Sequence, residues 1–507
     1  MFASVVSGVI CGIESRLISV EADVGNGLPG FSMVGYLSSE VREAQERVRA
    51  ALRNSGIQLP PRKIVVNLAP ADIRKGGSGF DLPIAVALLT AYGYLPEEYV
   101  KDIFFAGELS LNGELNGIHG IMGMVEEAKA AGCSACVVPK ANAREGGMIQ
   151  GIAVYGAENL KAVIDHLLKN AFLPQSTINI VEIFQNAGKT ARYDFADIRG
   201  QEMVRRAAEI AAAGRHNLLI SGPPGTGKSM IAKRIPSILP LMTVEEALEV
   251  SRIHSVAGIL PEDGILCERP FRMPHHTISA AGLAGGGTVP RPGEISLAHR
   301  GVLYLDELPE FQKDVLEILR QPLEDGEVCI TRNSGSYLFP ADFILIASRN
   351  PCKCGYYPDR SRCRCSHSEV TRYLHRISRP LLDRIDIHVD AEPVTYEDIQ
   401  SSEPGESSAQ IRERVWKAHQ IQSERYRGSG FRFNGELTAD AVMKYCRPDE
   451  EGDAFMQKVY VKKRLTARTY HRLLKVARTI ADLDGCECIL VRHLSEAVCY
   501  RPEEALQ

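Results

Sequence analysis

The strongest constraint on this chain is a glycine-rich octapeptide set between a strand and a helix. His216-Asn217-Leu218-Leu219-Ile220-Ser221 reads as an apolar strand. It runs directly into Gly222-Pro223-Pro224-Gly225-Thr226-Gly227-Lys228-Ser229 and then a helical stretch, Met230–Leu239. G-x-x-x-x-G-K-[ST] in strand–loop–helix context is a phosphate cradle. Its glycines let backbone N–H groups wrap the phosphates, and the helix start adds positive dipole. Lys228 is expected to bridge the β- and γ-phosphates of ATP, and the Ser229 hydroxyl to sit on Mg²⁺. Strands and helices alternate around this motif, which predicts a parallel α/β sheet beneath it.

Two further strands point chemistry at the same place. Val302-Leu303-Tyr304-Leu305 ends in Asp306-Glu307, at the carboxyl edge where open α/β sheets hold ligands. Asp306 is expected in the Mg²⁺ shell, and Glu307 to polarise the attacking water. Phe343-Ile344-Leu345-Ile346-Ala347 delivers Asn350, a neutral amide that can orient water against a γ-phosphate. Arg384, in Leu381-Leu382-Asp383-Arg384-Ile385-Asp386, is a candidate arginine finger. Arg468, in Thr466-Ala467-Arg468, opens a helix with a second cation. For a lone arginine, an ordinary surface or ion-paired role is the competing reading.

Composition sets the frame. At 507 residues, with 45% hydrophobic and 24% charged, the chain is an ordinary soluble globular protein of about three domains. Net charge is −4, so nucleic-acid contact must come from local patches rather than a global field. No stretch is long and apolar enough to span a bilayer and no signal peptide is legible, so a cytoplasmic location without membrane contact is expected. Residues 1–173 mix strand and helix patterns, 193–395 carry the nucleotide motifs, and 409–507 are helical throughout. Polar joins at 174–192 and 396–408 read as linkers, the latter containing Ser401–Ser408.

Taken together, Gly222–Ser229, Gly301–Glu307, Asn350-Pro351-Cys352, Leu382–Asp386 and Leu465–Arg472 resemble the magnesium-chelatase-like branch of AAA+ ATPases. Within it the chain is similar to the ComM/YifB family, DNA branch-migration motors linked to natural transformation. The resemblance implies that Asn350 is the sensor-1 residue, Arg384 a finger acting on a neighbouring subunit, and Arg468 the sensor-2 arginine. A finger supplied in trans implies a ring, a homohexamer. Arg349 departs from the family pattern, which has an apolar residue there. The N-terminal segment resembles a Lon-protease-like α+β domain. Laid on that family's motifs, Gly79 takes the place of the serine nucleophile and Met122 that of the lysine, which implies a non-proteolytic scaffold. The C-terminal segment corresponds to a helical lid. A chelatase-type or protein-remodelling ATPase is the alternative function.

Two loops are candidates for gripping DNA. Gly282–Thr288 reads as a flexible glycine-rich loop. Glu327–Thr331 and Tyr337–Phe339 flank Arg332-Asn333-Ser334-Gly335-Ser336 as a hairpin. In the resembled branch such loops project into a central pore, and packing against neighbouring subunits is the competing reading. Ala454–Ala481 holds eight Lys/Arg and no acid, including Lys462, Lys463 and Arg464. Such runs suit sequence-independent phosphate contact, or simply a solvated helix face. Cys352, Cys354, Cys363 and Cys365 could hold Zn²⁺ or stand as four reduced thiols. His275-His276 is expected to be structural or a polar contact, since adjacent side chains point apart in a strand.

Overall fold

The computed structural model describes residues 1–187, 193–287, 289–332, 335–400 and 405–501. Its N-terminal part is a seven-stranded mixed sheet. The strand order is Gly30–Val34, Lys63–Ala69, Glu14–Gly25, Phe2–Cys11, Ile103–Phe105, Ala135–Pro139 and Ala153–Ala157. Phe2–Cys11 and Glu14–Gly25 form a long antiparallel hairpin, and the last three strands add in parallel. Asp81–Ala91 has no polar stripe and is buried almost throughout, so it becomes the central helix against that hairpin. The one acid in its first turn, Asp81, is buried and receives both Arg47 Nε (2.7 Å) and Arg47 Nη2 (3.0 Å).

The nucleotide motifs sit on a five-stranded sheet in which every pairing is parallel. The order is Phe271–Arg272, Val302–Leu305, Ile344–Arg349, Leu218–Ser221, Ile387–Asp390. Alternation along each strand builds two cores. Leu218, Ile220, Tyr304, Ile346 and Val389 face one way, while Leu219, Leu303, Leu305, Leu345 and Ala347 face the other.

Among the described residues the C-terminal part contains helices and no strand, chiefly Ser408–Arg425, Glu450–Lys462, Ala467–Leu483 and Val491–Cys499. These helices complete the first of the two cores. Ile411, Val415 and Ala418 pack with Ala207, Ile210 and Ala211 of helix Glu202–Gly214, and with Leu473, Ala477 and Ile480. Lid and sheet therefore share one hydrophobic interior.

A buried polar network lies alongside it. His216 hydrogen-bonds Asp386 through Nδ1 (3.1 Å) and Thr479 Oγ1 through Nε2 (2.8 Å). Arg472 Nε stands 3.6 Å from Asp386, and Asn434 bridges Thr479 and Asp482 at 2.9 Å each.

Within the polar join at 174–192, Ile180–Ala187 is a helix, with Ile180 buried and Ile183 and Phe184 packed beside it, and 188–192 lie outside the described residues. The same apolar cluster joins Ile121, Met122 and Val125 of the N-terminal part to Ala247 and Val250 of helix Val244–Ala257. Ion pairs Arg252–Glu126 (2.7 Å) and Arg144–Asp263 (3.2 Å) rim that contact. At the second join, Tyr396–Gln400 is helical and 401–404 lie outside the described residues. Among the described residues no helix is long and apolar enough to cross a membrane.

The Asp386 cluster makes the joint between sheet and lid testable. Burial opposes ionisation of Asp386, but His216, Arg472 and Lys475 hold its carboxyl well below the usual carboxylate range. Asp386→Asn should therefore cost about 3 kcal/mol in urea unfolding at pH 7. A depressed native pKa contributes its full stability above the unfolded carboxyl's pKa and loses it as pH falls from there through the native value. The penalty should be full above about pH 5 and shrink as pH falls through the native value.

Candidate active site

The parallel register brings three strand ends to one edge. Ser221 pairs with Arg349, and Leu305 with Ala347, so the segments after them leave the sheet side by side. Gly225 and Gly227 adopt φ of +84° and +83°, left-handed values that open the loop and that other residues rarely tolerate. The helix starts at Lys228, two residues before the expected Met230. It breaks after Ala232 and resumes as Ile235–Ile238, where Pro236 has no N–H to donate.

Lys228, Ser229, Asp306 and Asn350 converge. Lys228 Nζ donates to Gly222 O and Pro223 O (both 2.7 Å) and to Asn350 Oδ1 (3.3 Å). Burial lowers the Lys228 pKa, against the attraction of Asp306 and Glu307. Ser229 Oγ donates to Asp306 Oδ2 at 2.9 Å, placing a hydroxyl and a carboxylate where a divalent cation can take both. Glu307 is exposed at the sheet edge in a left-handed conformation, φ +50°, and its N–H is tied to Ser348 Oγ (3.1 Å). Arg349 Nε donates to Ser221 Oγ at 2.8 Å, so the polar residue before Asn350 braces the neighbouring strand.

Two side chains escaped the sequence reading. Tyr304 OH donates to Asp306 Oδ1 (2.9 Å) and lies 3.2 Å from Ser229 Oγ, and Ser348 Oγ donates to the same Asp306 oxygen. Each lies two residues before a candidate site residue, Asp306 and Asn350, and so shares its face of the strand. That spacing is the signal that could have found them. Burial opposes the charge on Asp306, but hydrogen bonds from Ser348, Tyr304 and Ser229 outweigh it and lower its pKa. Gln201 is a third: its Nε2 donates to Thr226 O (3.2 Å) and steadies the loop.

Arg384 and Arg468 stand elsewhere. Asn217 Nδ2 donates to Arg384 O (2.9 Å), which fixes Arg384 at the amino edge of the sheet. The loop begins five residues on, roughly 16 Å along the strand and beyond an arginine's reach. Arg384 Nη2 donates to Glu324, and Arg468 Nη2 reaches the same carboxylate oxygen at 3.3 Å. Arg384 is largely enclosed, with its side chain 10% exposed, whereas Arg468 is 50% exposed.

The four thiols do come together. Cys352, Cys354, Cys363 and Cys365 place their sulfurs within 4.8 Å of one another. Sulfur separations of 3.3 Å (Cys352–Cys354), 3.5 Å (Cys354–Cys363) and 3.8 Å (Cys352–Cys363) lie at or just below the roughly 3.8 Å edge of a tetrahedral zinc–thiolate site. Burial opposes ionisation of Cys352, yet the N–H groups of Tyr357 and Tyr356 and the thiol of Cys354 bring it down to about 6.

The candidate DNA-contacting segments need correction. Gly282–Thr288 is not an open loop: Ala280–Ala284 is helical and Gly285–Gly286 pairs with Arg291–Pro292, while Thr288 lies outside the described residues. The hairpin forms, with strands Glu327–Arg332 and Gly335–Pro340. Arg332 is exposed and its Nε approaches Gly287 O (3.4 Å), so the two segments adjoin; Asn333 lies outside the described residues. Tyr337 of the hairpin packs on Gly12 and Val289 on Gly76. Both segments thus face the chain's own N-terminal part, and with it they line a cavity of about 950 Å³. The basic run is not one exposed face: Arg472 and Arg478 are buried. Lys458, Lys462 and Arg464 are exposed and Lys463 half-buried, beside exposed Tyr460 and Val461. The His275 and His276 rings do not point apart but face each other, 4.0 Å between centroids.

Comparison with known proteins accounts for this arrangement. Residues 194–399 match a family model described as magnesium chelatase, subunit ChlI. Residues 20–142 match subunit ChlI of Mg-chelatase, and 405–501 match its C-terminal region. The chain is 42% identical over 500 residues to competence protein ComM of Haemophilus influenzae, covering 98% of this chain and 97% of that protein. It is 41% identical over 499 residues to the uncharacterized protein YifB of Escherichia coli, covering 98% and 96%. The chain belongs to the ComM/YifB family.

By contrast, the magnesium-chelatase 38 kDa subunit of Cereibacter sphaeroides is 26% identical over 176 residues, 31% of this ComM/YifB chain. The chelatase family models match the N-terminal part as well as the sheet and the C-terminal helices. In this ComM/YifB protein Met122 is buried in the contact with helix Val244–Ala257, and Glu145 accepts its N–H (2.8 Å). Ser78, one place from Gly79, donates to Glu108.

Because three hydroxyls and one N–H hold Asp306 ionised, deleting one should raise its pKa. Ser348→Ala is expected to move the acid limb of Mg²⁺-dependent ATP binding to higher pH, with affinity near neutrality changed little. Titration calorimetry across pH 4–7 measures it, and an unmoved limb would contradict the role given to Ser348.

Proposed function

We propose that this chain hydrolyses ATP with Mg²⁺ as a homohexameric AAA+ ring and drives branch migration of recombination intermediates during natural transformation. The convergence of Lys228, Ser229, Asp306 and Asn350 at one sheet edge carries the ATPase reading. Gly222–Ser229 wrap the phosphates, Ser229 and Asp306 hold Mg²⁺, Glu307 activates water, and Asn350 senses the γ-phosphate.

The ring reading draws support from one arginine. Arg384, held at the amino edge of the sheet, stands too far from its own phosphate loop to reach it and so suits a neighbour's nucleotide, while Arg468, which meets the same Glu324, takes the sensor-2 role. DNA as the client is supported by the Haemophilus relative's name, competence protein, at near full-length coverage. Arg332 at the end of its hairpin strand and Asn333, next to it in sequence, with Lys462, Lys463 and Arg464, would meet the phosphate backbone without reading sequence. Tyr460 beside those lysines offers a stacking face.

Zinc at Cys352, Cys354, Cys363 and Cys365 completes the cofactors. Residues 1–173 serve as a Lon-like, non-proteolytic scaffold, 193–395 as the ATPase core and 409–507 as the lid, with the ring working in the cytoplasm. A chelatase-type or protein-remodelling ATPase is the second reading, and the names of the matched family models favour the chelatase form of it.

Steady-state ATPase assays with and without three-strand branched DNA decide between them. Stimulation by branched DNA is expected, and a rate indifferent to all DNA would transfer the reading to a chelatase or protein client. Lys228→Ala should abolish nucleotide binding. Glu307→Gln should bind ATP with at least about 100-fold slower turnover. Arg384→Ala and Arg468→Ala should bind ATP normally yet lose hydrolysis, and an equimolar mixture of Arg384→Ala with Lys228→Ala should regain part of it. Full activity in Arg384→Ala alone would refute the shared site.

A further inference from the structure

The four-thiol loop meets the phosphate loop in two ways, through the adjoining Asn350 and by direct contact. Cys352 follows Asn350 by two residues, and Asn350 Oδ1 accepts from Lys228 Nζ. The chain then turns tightly, with Gly355 N–H donating to Cys352 O at 2.9 Å. Gly355 has φ +86° and is buried against Pro224, the third residue of the phosphate loop. A Cβ at this position would stand 2.5 Å from Pro224 Cδ and 3.1 Å from Cγ. The backbone between the second thiol and Tyr356 is thus a wedge seated directly on the nucleotide cradle.

What holds the wedge is the four-thiol group. The loop's own apolar cluster has three buried members, Cys352, Cys363 and Val370, and two of those are thiols. A core this small cannot order a loop without a cross-link or an ion. Remaining ties are local: Cys363 N–H to Asp359 O (2.8 Å) and Arg360 Nη1 to Cys365 O (2.7 Å). Where thiolates are the structural ligands, ion binding and loop ordering are one equilibrium.

We propose that a zinc ion held by Cys352, Cys354, Cys363 and Cys365 sets the position of Gly355 against Pro224, so that the chain binds ATP tightly only when this loop is metallated. The proposal rests on the zinc reading above and adds to it a control on the nucleotide site. With zinc bound, Gly355 and Asn350 hold both sides of the segment from Gly222 to Lys228. Without it, the loop samples other shapes, and ATP affinity falls with the fraction of chains still competent.

The test uses the full-length protein. Zinc per chain is measured by inductively coupled plasma mass spectrometry. Affinity for a non-hydrolysable ATP analogue with excess Mg²⁺ is measured by calorimetry in three states: as purified, after removal of zinc with TPEN, and after zinc is added back. Emission of Trp416, on the lid helix, monitors the fold. Expected are one zinc per chain, affinity weaker by about tenfold or more on removal, recovery on re-addition, and unchanged Trp416 emission. Gly355→Ala provides the second arm: it should keep its zinc and still lose affinity, because the added methyl meets Pro224. A protein that binds no zinc overturns the zinc reading and the control together. A protein whose zinc comes and goes with unchanged analogue affinity keeps the zinc site and loses the control, as does wild-type affinity in zinc-loaded Gly355→Ala.

Discussion

In-register pairing of three parallel strands decides where every group at the nucleotide site stands. Leu218–Ser221, Ile344–Arg349 and Val302–Leu305 end together, so Lys228, Asn350 and Asp306 emerge within hydrogen-bond reach although they lie far apart in sequence. A slip of one residue in any of them would turn its side chains to the other face. It would also carry Tyr304 or Ser348 away from Asp306. The alternating apolar residues of the two cores enforce the register, and so packing and site geometry depend on the same pattern.

That sheet also separates two kinds of chemistry. Its carboxyl edge gathers the groups that can hold a nucleotide and a divalent cation. Its amino edge gathers Arg384, Arg472 and Asp386, with Arg468 tied through Glu324. Since all five strands run the same way, the two edges look in opposite directions.

Much of this was legible in the sequence because it is local. An apolar run followed by glycines, Lys228 and Ser229 specifies its own turn, and Thr466 caps the helix that Arg468 opens, accepting from Thr469 N (3.2 Å). Hairpin strands Glu327–Arg332 and Gly335–Pro340 were bounded within a residue or two for the same reason. What the sequence concealed depends on distant partners. A charge count across Ala467–Leu483 cannot show that Arg472 and Arg478 turn inward, because their acids, Asp386 and Asp482, include one from another segment. The helix Ile180–Ala187 sits in a polar stretch and is held by apolar residues from both flanking parts. Gly282–Thr288 has the composition of a loose loop, but pairing with Arg291–Pro292 gives it structure.

The contact between helix Ile121–Ala130 of the N-terminal part and helix Val244–Ala257 bears on how the chain can be divided. Met242, Ala247, Val250 and Ile265 are buried there against Ile121, Met122 and Val125. An ATPase portion cut free of the first domain would meet water with that apolar surface and stick to itself or to other proteins. The two parts are therefore poor candidates for exchange as separate modules, and substitutions on one side of the seam are constrained by the residues on the other.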